Sequence, residues 1–152
     1  MTPDDRFARQ RLIPRWDQEK IAAASVVVVG VGALGNEVAK NLALLGVRRM
    51  ILCDPDEVGT SNLSRSVLFG PDDVGRPKVD AAADALARLA SGLTLERRRD
   101  DLEFGVGLGE LADATVVFGC LDSRRARLRL LGRCALCSAG CNCPLRSKRA
   151  VS

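Results

Sequence analysis

The stretch Ser25-Val26-Val27-Val28-Val29-Gly30-Val31-Gly32-Ala33-Leu34-Gly35 constrains this chain more than any other. Consecutive valines favour extended backbone, and a run apolar at every position is buried on both faces, as in a parallel sheet. The pattern Gly-x-Gly-x-x-Gly follows at once. Residues 36–45 then place Val38, Leu42 and Leu45 at helical spacing before Gly46, a candidate C-cap. In such a turn Gly30 permits the tight reversal, Gly32 lets the backbone approach an anion, and Gly35 lets helix and strand pack closely. The free N–H groups and positive end of the helix face that anion. Residues 25–65 are therefore expected to form a nucleotide-binding βαβ unit.

The pattern continues along the chain. Arg49 to Asp54 reads as a second buried strand, and Asp54 lies near the ~20 residues past the turn where a carboxylate accepts from ribose hydroxyls. Pro55 to Pro77 is a long polar connection, and loops above ~12–15 residues within a domain are usually functional. Lys78 to Ala90 is Ala-rich and helical, ended by Ser91-Gly92. Leu93 to Arg99 alternates weakly, as a more exposed third strand would, and Ala114 to Cys120 is a buried fourth. Ser123 to Leu136 is an Arg-rich amphipathic helix. Strands alternating with helices imply an α/β fold, a Rossmann-like three-layer αβα arrangement with a mostly parallel sheet. Three segments are expected: an N-terminal helical arm over 1–24, interrupted by Pro14; the nucleotide-binding domain over 25–136; and an irregular Cys- and Arg-rich tail over 137–152. The sheet is expected to be truncated after about four strands. The tail reads like sequence under no folding constraint, as after a frameshift or an early stop.

Composition narrows the chemistry. The chain has no histidine, which removes Ser-His and Cys-His nucleophile pairs and His-ligated metals. The net charge of +4 resides in residues 133–152, where Arg133, Arg146, Lys148 and Arg149 face no acid; the remainder is neutral. A nucleic-acid footprint needs a basic face, and base stacking needs aromatics, yet Tyr is absent and aromatics make up 3% of residues, so no nucleic-acid partner is expected. No apolar run approaches the ~20 residues of a membrane span, and Met1 to Arg6 lacks a basic-then-apolar signal, so a cytoplasmic protein is expected with no membrane partner. Cys53 and Cys120 end apolar runs and read as core residues. Cys134, Cys137, Cys141 and Cys143 suggest zinc by type, but the last pair is separated by one residue, an awkward chelate. No zinc site is expected.

Further residues surround the turn in a fixed order. Arg6-Phe7-Ala8-Arg9-Gln10 precedes Leu12-Ile13-Pro14; Trp16-Asp17-Gln18-Glu19-Lys20 precedes the first strand; Ser61-Asn62-Leu63-Ser64-Arg65 lies in the long loop; Gly75-Arg76-Pro77-Lys78 opens the next helix; Leu121-Asp122-Ser123-Arg124 follows the fourth strand. This series, from about Arg6 to Cys134, resembles the ThiF/MoeB family of ATP-dependent adenylyltransferases related to ubiquitin-activating enzymes. The resemblance implies adenylation of the C-terminal glycine carboxylate of a ubiquitin-like or sulfur-carrier protein. It implies that Gly30, Gly32 and Gly35 hold ATP, with Asp54 on its ribose. Asn62, Arg65 and Lys78 would contact the triphosphate, Asp122 would bind Mg²⁺, and Arg9 would act as an arginine finger across a homodimer interface. Family domains run well beyond 152 residues, so a shorter chain raises the prospect of nucleotide binding without turnover.

Residue chemistry accords with this. Acyl adenylation needs no general base, because the attacking carboxylate is already ionised; it needs charge neutralisation and alignment of two anions. Taken singly, Arg9, Arg65 and Lys78 read as solvated side chains and Asp122 as a cap for the helix beginning near Ser123. Two alternatives stand beside adenylation: a nicotinamide-dependent oxidoreductase, and a non-catalytic nucleotide-binding fragment.

Overall fold

A computed structural model describes residues 5–140 and 150–151. The valine run forms β1 (Ser25–Val29), and β2 (Arg49–Cys53), β3 (Thr94–Arg98) and β4 (Val116–Gly119) follow at the expected places. A two-residue strand, β5 (Ala150–Val151), adds to the edge beyond β4. The order is β3-β2-β1-β4-β5, with every pairing parallel. The fold is α/β and Rossmann-like, as the alternation predicts.

Side chains alternate across the sheet and divide the core in two. Val26, Val28, Met50 and Leu52 pack against α2 (Ala33–Leu45) and α3 (Lys78–Leu89), including Ala39, Ala43, Val79 and Leu86. Val27, Val29, Ile51 and Cys53 face the other way, onto Leu102, Val106, Leu111 and Leu130. Those belong to, or flank, α4 (Leu102–Gly105), α5 (Leu108–Asp113) and α6 (Arg124–Gly140). Burial on both faces explains why β1 and β2 read as continuous apolar runs. β3 sits at an edge and carries Glu96, Arg97 and Arg98, the charged protection that edge strands require.

The N-terminal arm is a 3₁₀ turn (Gln10–Leu12), a break at Pro14 and the five-residue α1 (Gln18–Ala22), capped by Asp17 accepting from the Lys20 amide at 3.0 Å. No periodicity announces α4 and α5, which are four and six residues long. The long connection is built around two 3₁₀ turns, Thr60–Asn62 and Pro71–Asp73, and is anchored by buried Val58, Leu68 and Phe69. α6 runs to Gly140, four residues into the segment expected to be irregular; Cys141 and Cys143, with the rest of 141–149, lie outside the described residues. Among the described residues no helix is long and apolar enough to cross a membrane.

Candidate functional site

In the sheet order, β2 and β4 flank β1 on opposite sides, so the chain leaves β1 one way and returns beside it the other way. A crevice opens at the carboxyl ends of the strands at such a switch point. Here it is a cavity of about 720 Å³, lined by Gly30, Gly32, Asp54, Asn62, Arg65, Lys78 and Asp122 among others. Seven positions singled out by sequence, drawn from five separate segments, thus converge on one cavity. Gly35 and Arg9 are not among its lining residues.

The glycine turn shows why each glycine is there. Gly30 has φ of 89°, a left-handed conformation that side chains resist, and a Cβ there would sit 2.5 Å from the Cys120 carbonyl oxygen. A Cβ on Gly35 would overlap the Gly30 carbonyl oxygen, so this glycine serves helix–strand packing and not the lining. Among the described residues nothing lies within 4 Å of a Cβ built on Gly32, which leaves the backbone open to the cavity. Gly32 is also the N-cap of α2 and provides no side-chain cap, so the first-turn N–H groups keep their capacity to bind an anion.

Asp54, 6% exposed, anchors this turn to β2. Its Oδ2 accepts from the Val31 amide at 2.6 Å and its Oδ1 from the Asp56 amide at 2.9 Å. Burial raises its pKa above the ordinary carboxylate value, opposed by those two backbone hydrogen bonds and by the charge of Lys78. Each oxygen retains a second lone pair, so holding the turn is compatible with accepting from a ribose hydroxyl. Lys78, the first residue of α3, is buried; its Nζ lies 2.7 Å from Asp56 Oδ2 and 3.9 Å from Asp54 Oδ1.

The other candidates lie around this centre. Arg65 donates to the Ser61 carbonyl at 2.8 Å, and Asn62 Oδ1 accepts from the Gly59 amide at 2.8 Å, which leaves the Asn62 amide group unused among the described residues. Asp122 is exposed and makes no hydrogen bond or ion pair among the described residues. The cap of α6 is Ser123, whose Oγ accepts from the Ala126 amide at 3.1 Å, so Asp122 is free of that task. Arg9 is exposed on the N-terminal arm and does not line the cavity of its own chain.

Several features of the site are not legible in the sequence. Asp56 is the direct partner of Lys78, and its one signal is its position two residues after Asp54. The loop opening α4 lines the cavity through Asp100, Asp101, Leu102 and Glu103, and Glu103 pairs with Arg129 of α6 at 3.0 Å. Cys120 is half-buried and lines the cavity, where the sequence predicts a full core position; Cys53 is buried as expected and still borders the site. Burial pushes the Cys53 thiol up to about 12 and raises Cys120 as well, which keeps both protonated and poorly nucleophilic at neutral pH. Asn36, fully buried in the first turn of α2, ties the glycine turn to the long loop.

Comparison with known proteins accords with this layout. The ThiF family model matches residues 5–141. The molybdopterin-synthase adenylyltransferase of Salmonella typhimurium is 36% identical over 132 residues, covering 85% of this chain and 53% of the relative. The sulfur carrier protein ThiS adenylyltransferase of Escherichia coli is 32% identical over 149 residues, covering 96% and 58%. A crystal structure of E. coli MccB with ATP superposes with a TM-score of 0.65 at 28% identity, covering 75% of this chain and 34% of that one. The chain spans little more than half the length of the two adenylyltransferases.

Proposed function

The chain belongs to the ThiF family, and on that premise we propose that it binds ATP with Mg²⁺ and adenylates the C-terminal glycine carboxylate of a ubiquitin-like or sulfur-carrier protein. One observation carries the reading: Gly32, Asn62, Arg65, Lys78 and Asp122, from separate parts of the chain, border a single cavity at the switch point of the sheet. An oxidoreductase has no use for that collection of cationic and amide groups, whereas a triphosphate engages all of them.

The reaction forms a bond between a carboxylate oxygen and the α-phosphorus, breaks the bond from that phosphorus to the bridging oxygen, and releases pyrophosphate with the electron pair. The Gly32 backbone and the first turn of α2 receive phosphate oxygens. Lys78 and Arg65 neutralise charge on the leaving group, one as a point charge and the other as a planar fork. Lys78 is held by Asp56 at 2.7 Å, so phosphate binding exchanges one anionic partner for another. Asp54 accepts from the ribose while holding the turn. The donor set suits Mg²⁺, which commonly takes one or two protein carboxylates and completes its shell with phosphate and water; Asp122 is a carboxylate of that kind, unpaired among the described residues. The ion would supply divalent charge to the phosphates. Arg9, which does not line the cavity of its own chain, acts from a second copy of the chain.

A second reading rests on Arg9, which does not line the cavity of its own chain: without that arginine the site binds ATP without turning it over. Calorimetric titration with ATP and with NAD, followed by ATP–pyrophosphate exchange with candidate carrier proteins, separates the readings. Binding of ATP and not NAD, with carrier-dependent exchange, is the expected result. Binding without exchange for any carrier favours the second reading, and tight NAD binding overturns both.

A further inference from the structure

We infer that Asn36 is a positioning residue that couples the glycine turn to the loop carrying Arg65, so that the site's phosphate affinity depends on a carboxamide that touches no phosphate. The inference rests on the adenylation reading and extends it to how the site is held together.

The geometry is specific to an amide. Asn36 is 0% exposed and sits one residue past the last glycine of the turn. Its Nδ2 donates to the Val31 carbonyl at 2.9 Å and the Gly32 carbonyl at 3.1 Å. Its Oδ1 accepts from the Leu68 amide, 32 residues away, at 2.9 Å. A side chain that donates at one end and accepts at the other is required, which excludes a carboxylate, a hydrocarbon or a single hydroxyl. Val31 is thereby held from both sides, its N–H by Asp54 and its carbonyl by Asn36. Leu68 is three residues after Arg65, and Leu68 and Phe69 are buried in the core beside α2 and α3. The chain running back from Leu68 to Arg65 thus takes its position from Asn36. Buried polar groups joined in this way hold one geometry because any slippage leaves an unpaired donor or acceptor.

Asn36→Ser separates the two links. A serine hydroxyl reaches back to the Gly32 carbonyl, as it does toward i−4 in helices, but not to Leu68. The full 152-residue chain is titrated calorimetrically with ATP and with adenosine, as wild type, Asn36→Ser, Arg65→Ala and the double variant. Each single change is expected to weaken ATP about tenfold while adenosine changes less than about twofold, and Arg65→Ala in the Asn36→Ser background is expected to add less than about twofold, the mark of coupled sites. Unchanged ATP affinity in Asn36→Ser overturns the inference and leaves the adenylation reading standing, as do two effects that multiply to about a hundredfold. A uniform loss for ATP and adenosine also overturns it, because it marks general loosening. No effect of Arg65→Ala in the wild type overturns the phosphate role of Arg65 and this inference with it. Amide exchange on the unmodified chain tests the link without any variant. A Leu68 amide protected to the level of the α2 core is expected, and one exchanging at the rate of an open loop refutes the coupling.

Discussion

Replacing Asp54 with asparagine tests the centre of the site, because shape is kept while charge and one acceptor are lost. In the folded chain both carboxylate oxygens are used, one by the Val31 amide at 2.6 Å and the other by the Asp56 amide at 2.9 Å. Asparagine offers one acceptor oxygen and turns an NH₂ group toward the second amide. Leaving that buried N–H without a partner costs about 1–3 kcal/mol. Removing a charge from a position 6% exposed returns part of this. The net expectation is a loss of about 2 kcal/mol, which lowers Tm by about 4–8 °C for a chain of this size. The pH dependence carries more information. Burial raises the Asp54 pKa above its ordinary value of 3.8, so between that value and the folded pKa the native state holds a proton that the unfolded state has released. Stability contributed by Asp54 therefore falls as pH rises through that window, and the Asp54→Asn variant has no such dependence. In thermal melts followed by circular dichroism from about pH 4 to about pH 7, the wild-type advantage over Asp54→Asn is expected to be largest at the acid end and to narrow upward. A gap that widens with pH means that the two amides and Lys78 outweigh burial, which refutes the desolvation argument. A variant as stable as wild type refutes the claim that this carboxylate anchors the glycine turn.

The two neighbouring glycines should part company. Gly32→Ala meets nothing within 4 Å among the described residues and is expected to melt within about 2 °C of wild type while ATP binding falls at least about tenfold by calorimetry; Gly35→Ala drives a methyl into the Gly30 carbonyl and is expected to lose about 3 kcal/mol or more in denaturant unfolding. Lys78→Ala is expected to reduce ATP–pyrophosphate exchange by at least about a hundredfold in an intact homologue carrying the equivalent change, and near-normal exchange counts against its phosphate role. Asp122→Ala removes a side chain with no partner among the described residues, so it is expected to leave the melting curve unchanged within about 1 °C while abolishing Mg²⁺-dependent ATP binding.

The residues differ in how far sequence could take them, and the difference is physical. The valine run, the spacing of the glycines and the Ala-rich helix report local preferences: extended backbone, positive φ, period of burial. Such preferences are written in neighbouring residues, so four strands, the longer helices flanking them and the glycine turn were legible from the chain alone. α4 and α5 were not, because four- and six-residue helices hold too few positions to display a period. Which partner each polar group takes is a separate matter. The spacing of Asp54 after the glycine turn could mark it as a site residue, but its grip on Val31 arises from parallel pairing of β1 with β2, and Lys78 meets Asp56 because the intervening loop folds back. Ser123, and not Asp122, caps α6, a choice between neighbours settled by one turn of geometry. Asn36 reaches Leu68 across 32 residues only once α2 and the loop are docked on one core. The sequence by itself determined a parallel α/β sheet with a glycine turn at its centre, since periodicity and glycine placement act over a few residues. Tertiary structure alone decided which side chains are spent holding that turn and which remain free for a ligand, since hydrogen bonds between distant segments exist only after packing brings their ends within about 3 Å of each other.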